Sequence, residues 1–128
     1  MKLEHEDPAA GDSLLGPQPT HQEEALAALA HALGIVTSFI GPGIVYFVNR
    51  DKSTFIRFHA LQAAVFQLAI AILITISNTV HILQGGIFFL GIVVANFAFA
   101  LMAASAANKG EWYEIPYVGP WVSTKLGM

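Results

Sequence analysis

From Ala25 to Val48 the chain carries no Asp, Glu, Lys or Arg, and the same holds from Phe58 to Asn108. A soluble helix of that length needs a polar face toward water. Uncharged apolar runs of about 20 residues instead match a hydrocarbon core about 30 Å thick, at about 1.5 Å of rise per residue. The pattern predicts an all-α integral membrane protein of one domain with three transmembrane helices. The 55% hydrophobic and 12% charged composition agrees with lipid rather than water as the main solvent.

The charge that remains is confined to the ends and one loop. Residues 1–20 hold Glu4, Glu6, Asp7 and Asp12 among prolines and glycines, which predicts a disordered acidic tail. His5 and His21 read as solvated residues without a ligand partner. Thr20 and Glu23 fit a capping box, and Glu23 and Glu24 suit the positive end of a helix. The first span is expected over about Ala25 to Val48, about 36 Å if helical throughout. Gly41-Pro42-Gly43 should interrupt it as a kink, since proline removes a donor and clashes with the preceding turn. A discontinuous helix lining a polar path is the sharper reading of the same triplet. His31 is an ionisable residue inside this span and so a functional candidate.

Asn49 to Ser53 forms the first loop, followed by a second span over about Phe58 to Val80. His59, Gln62, Ala63, Phe66, Ile70, Ser77 and His81 share one helical face, with Gln67 beside it. Ala60 and Ala64 allow close backbone approach there, whereas Leu61, Val65, Leu68, Ile72 and Ile76 can meet lipid. The turn at 81–86 breaks at Gly85-Gly86. A third span over about Ile87 to Ala107 is bulky first and alanine-rich later, with Asn96 as a polar contact at mid-depth. Residues 21–110 thus make the membrane domain. Residues 111–128, with Trp112, Tyr113, Tyr117 and Trp121, read as an interfacial aromatic anchor.

Arg50, Lys52 and Arg57 flank the first loop, and Lys109 and Lys125 follow the third span. Cation bias therefore predicts the N-terminus outside and the C-terminus cytoplasmic. The competing arrangement is a re-entrant first segment broken at Pro42. The chain has no cysteine, which excludes disulfides, thiolate metal sites and thiol nucleophiles. No basic cluster points to nucleic acid. No paired carboxylates, His-x-x-x-His pair or nucleophile with a nearby base points to an enzyme. His31, His59 and His81 fall at different expected depths, which argues against a three-histidine metal site. No cofactor is expected. The partners expected are lipid and other membrane proteins, or further copies of the chain.

Two segments carry a resemblance. In Thr54 to Gln67, T-F-I-R-F-H-A-L-Q-A-A-V-F-Q, an Arg-Phe-His-Ala-x-Gln-Ala motif opens a membrane helix. In Ala106 to Pro116, A-A-N-K-G-E-W-Y-E-I-P, small residues precede Lys-Gly-Glu-x-Tyr-x-x-Pro. The chain resembles bacterial membrane proteins similar to the chloroplast inner-envelope protein import component, the twenty-kilodalton Tic subunit. The residues that carry the resemblance are Arg57, Phe58, His59, Gln62, Gln67, Lys109, Gly110, Glu111, Tyr113 and Pro116. It implies a membrane subunit connected with protein translocation and brings no catalytic residue. Arg57 and His59 are expected to pair with Glu111. The resulting expectation is a non-enzymatic subunit or assembly factor; alternatively, an oligomeric transporter or channel component for small solutes would use the Gly-Pro-Gly break and the polar stripe.

Overall fold

The computed structural model describes residues 18–84 and 86–128, and the side chains of 80–84 are outside that description. The expectations for the acidic tail, His5 and the His81 side chain therefore fall outside the described residues. Within them the chain is all-helical. It forms α1 (His21–Thr37), α2 (Ile40–Asn49), α3 (Thr54–Gln84), α4 (Ile87–Asn108) and α5 (Val118–Leu126).

α1 starts where the capping box predicts. Thr20 Oγ1 accepts from the Glu23 amide at 3.2 Å, and Glu23 Oε2 accepts from the Thr20 amide at 2.7 Å. Two of the four orphan donors of the helix are satisfied in this way. α3, with 31 residues, is about 46 Å long, and α4, with 22, about 33 Å. Both are long and apolar enough to cross a bilayer. They pack on each other through Phe66 and Ile70 of α3 and Ala103 of α4.

The first apolar segment departs from the expected kinked span. It breaks at Ser38, three residues before the Gly-Pro-Gly triplet, where φ is 56° and ψ −135°. Pro42 then occupies the third position of α2. The amides of a first helical turn have no intrahelical acceptor, so the missing proline N–H costs nothing there. The Thr37 hydroxyl joins the two helices, donating to Leu33 O at 2.8 Å and accepting from the Gly41 amide at 2.9 Å. Gly41 has to be glycine for that approach, since a Cβ would run into Thr37 Oγ1 and lie 2.9 Å from Leu33 Cβ.

The break turns the chain back. Val45 of α2 packs with Ala30 of α1 and with Ile56, Ala60 and Ala63 of α3. Glu23, at the start of α1, lies near enough to Ser53, just ahead of α3, for the Ser53 hydroxyl to lower its pKa. Ala27, Phe55 and Ala107 form one buried cluster. α1 and α2 are thus a helical hairpin of about 25 Å and about 15 Å arms, with both open ends beside the start of α3 and the end of α4. The described N-terminal residues, the 50–53 loop and residues 109–128 lie at one end of the bundle, and the turn after α3 lies at the other. A single helix running from 25 to 48, as the sequence suggests, would instead have put the start of α1 and residues 109–128 at opposite ends of the bundle. The alanine-rich half of α4 is covered by α1, with Ala100, Ala103 and Ala107 fully buried. Much of the rest of the apolar surface is open, including Ile44 and Phe47 of α2, Ile72 and Ile76 of α3, and Phe88, Val94 and Leu101 of α4.

Candidate functional site

The two motif segments meet at the shared end of the bundle. α4 stops in a pair of bonds, Gly110 N–H to Ala107 O and Glu111 N–H to Ala106 O, both 3.0 Å. That is a Schellman ending, with Gly110 in the left-handed region at φ 75°. A side chain at Gly110 would also lie 2.8 Å from Glu24 Oε1 and 3.1 Å from Pro19 Cγ. Beyond it residues 111–115 form no helix, Pro116 and Tyr117 make a turn, and this segment crosses the first turns of α3.

Two side chains of α3 hold that extended segment by its backbone. His59 Nε2 lies 2.9 Å from Glu111 O, which can only accept, so Nε2 donates. Gln62 Nε2 donates to Tyr113 O at 3.0 Å, and Gln62 Oε1 accepts from the Ile115 amide at 2.9 Å. Gln62 thereby acts as a substitute strand partner for residues 113–115. His59, Gln62, Phe58 and Ile115 are all buried. Trp112 closes over them, its ring centroid 5.0 Å from Phe55 and 5.3 Å from Phe58.

A proton on His59 Nε2 leaves Nδ1 as the acceptor of the neutral ring. Nδ1 faces His31 Nε2 at 3.1 Å, so His31 donates. A directed chain results, from His31 through His59 to the Glu111 carbonyl. His31 and His59 share a depth because the hairpin makes α1 and α3 start from the same end; the sequence reading placed them apart. Deeper in the bundle, Gln67 Nε2 donates to Asn96 Oδ1 at 2.8 Å. Its stem packs on Gly34, where a Cβ would sit 2.8 Å from Gln67 Cγ. Asn96 thereby links α4 to α3.

The expected ion pair between Arg57 and Glu111 is not formed. Among the described residues the ion pairs are His21 with Glu24 and Arg50 with Asp51. Glu111 serves through its carbonyl, and Arg57 Nε is buried without a hydrogen-bond partner. Pro116 is exposed. Among the described residues no group of three or more His, Asp or Glu could hold a metal ion. Outside the apolar layer, Glu23 has its pKa lowered, first by the Ser53 hydroxyl and then by the Thr20 amide.

The sequence profile of the magnetosome magnetite crystal formation protein family (MamF/MmsF) matches residues 22–122. The chain belongs to that family. The match takes in the hairpin, both long helices and the extended segment that His59 and Gln62 hold. A UPF0132 membrane protein of Archaeoglobus fulgidus is similar to the chain, 28% identical over 108 residues, covering 83% of this chain and 97% of its own length. No solved structure matches. These findings overturn the resemblance to the chloroplast import component and its link to translocation: the matches are to a magnetosome family and to a UPF0132 membrane protein. His59 and Gln62 bind the segment after α4, and Lys109 and Gly110 end that helix, so the two motifs come together in the fold.

Proposed function

We propose that this small membrane protein is a non-enzymatic subunit that organises other membrane proteins, or copies of itself, within the bilayer. The observation that carries this reading is the use made of the polar residues. His31, His59, Gln62, Gln67 and Asn96 are engaged in bonds that join α1, α3, α4 and the extended segment. They hold the bundle together and leave its apolar helix faces as the surface offered outward. The family description concerns magnetite crystal formation. The contribution this geometry fits is packing in the plane of the membrane.

In this reading α3 and α4 span the bilayer, and the α1–α2 hairpin enters and leaves by one face. All five cations of the described residues, Arg50, Lys52, Arg57, Lys109 and Lys125, belong to the end where the hairpin opens. The positive-inside bias makes that end cytoplasmic, in the bacterial inner membrane. Residues 21–110 form the membrane unit. Residues 111–128 lie at its cytoplasmic interface. His59 and Gln62 of the α3 stripe that suggested a solute path, and Gln67 beside it, are engaged in these internal bonds.

In-cell photo-crosslinking tests the role. The probes belong at the exposed positions Phe47, Val94 and Leu101, because Gln62, Phe66 and Ala100 face inward. Recurrent capture of the same membrane protein, or of a second copy, is expected. Solute flux through the purified protein in liposomes, without such adducts, would overturn the reading.

A further inference from the structure

The C-terminal end of α4 carries a groove of about 430 Å³ that opens on the outer face of the helix. Leu101, Met102 and Ser105 form its wall, and Lys109, Glu111 and Tyr113 its polar rim. Leu101 and Met102 are more than half exposed. Neither the Lys109 ammonium nor the Glu111 carboxylate is in an ion pair among the described residues, with each other or with any other group. The groove therefore presents a free cation, a free anion and a phenol above an apolar wall. These are the parts that a lipid at the membrane boundary would meet in that order.

We propose that this groove holds one zwitterionic aminophospholipid. The phosphate sits at Lys109 with the Tyr113 hydroxyl as a donor, and the primary ammonium sits at Glu111. The first methylenes of an acyl chain lie on Leu101 and Met102. Charge complementarity selects this headgroup. An anionic headgroup would satisfy Lys109 and leave Glu111 facing negative charge, whereas a quaternary choline offers Glu111 no N–H. The proposal rests on the membrane placement given above, with the end of α4 at the headgroup level.

The test uses the purified full-length chain, native mass spectrometry, and an equal mixture of phosphatidylethanolamine, phosphatidylcholine and phosphatidylglycerol with matched acyl chains. Phosphatidylethanolamine is expected to be retained about threefold to fivefold over the other two, the scale of one partly solvated ion pair. Glu111→Gln should remove the preference over phosphatidylcholine, and Lys109→Gln should lower retention of all three. Both side chains are exposed and unbonded, so the melting temperature should not move. Equal retention of the three lipids, a preference for phosphatidylglycerol, or variants that bind like the parent would overturn the proposal. A fluorophore on Ser105→Cys separates the two readings. Quenching by spin-labelled lipid without a lipid preference refutes the groove alone, and absence of quenching refutes the membrane placement.

Discussion

Replacing Gln62 by leucine keeps the side-chain volume close and deletes the clamp on the C-terminal segment. Two bonds vanish, to Tyr113 O and from the Ile115 amide. Gln62 is fully buried and Ile115 is 1% exposed, so water cannot replace the lost partner at Ile115 without opening the segment. Side-chain bonds between membrane helices average about 0.6 kcal/mol, because the separated helices find other partners. Here the partners are backbone groups of an extended segment with no strand beside it. The larger figure applies at the buried Ile115 amide, about 1–3 kcal/mol for a buried group left unpaired, and the part-buried Tyr113 carbonyl adds less. The segment then has the option of detaching, which would cap the cost and expose Trp112. Unfolding in mild detergent, followed by Trp112 emission in a Trp121→Phe background, reads both quantities. A large loss of stability, or a red-shifted Trp112 before global unfolding, is expected. A variant within about 0.5 kcal/mol of the parent, with Trp112 still packed on Phe58, would refute the clamp.

Gly34→Val should cost about 1–3 kcal/mol by forcing Gln67 off its bond to Asn96, and Gln67→Ala in the same chain should recover part of that loss; additive effects in a double-mutant cycle would dismiss the contact. The depressed pKa of Glu23 contributes stability that is complete above its ordinary value of 4.5 and fades as pH falls through the lower folded value. Melting temperature followed through the acid range should therefore slope less in Glu23→Gln and in Ser53→Ala than in the parent, and identical slopes would deny the bond. Gly110→Ala should destabilise through its left-handed backbone and its contact with Glu24, by about 1–2 kcal/mol, measured by the same detergent unfolding.

The sequence reading located the long helices well because apolar length is a local property. The third span was expected at 87–107 and is observed at Ile87–Asn108, while the second starts four residues earlier than expected, at Thr54. The Thr20–Glu23 cap was legible for the same reason. The path of the first segment was not. Pro42 is compatible with a kink inside a helix and with the first turn of a new one, and only the positive φ of Ser38 and the packing of Val45 on Ala30 decide between them. The single-helix path also underlies the expected separation of His31 from His59, which the hairpin brings within 3.1 Å. The partners of the motif residues were hidden in the sequence. His59 and Gln62 bond to the carbonyls of Glu111 and Tyr113 and to the amide of Ile115. Backbone partners leave no trace in residue identity, which is why a charge pair between Arg57 and Glu111 was expected in their place.

The re-entrant hairpin is the claim on which the account depends, and the chain has no native cysteine to complicate labelling. Single cysteines at Gln22, Asp51, Gly86 and Lys125 can be probed with a membrane-impermeant maleimide in intact and in lysed cells. The account predicts that Gln22, Asp51 and Lys125 react only after lysis, whereas Gly86 reacts in intact cells. Labelling of Gln22 from outside, with Lys125 still shielded, would mean that the first segment crosses the membrane, and would contradict the account.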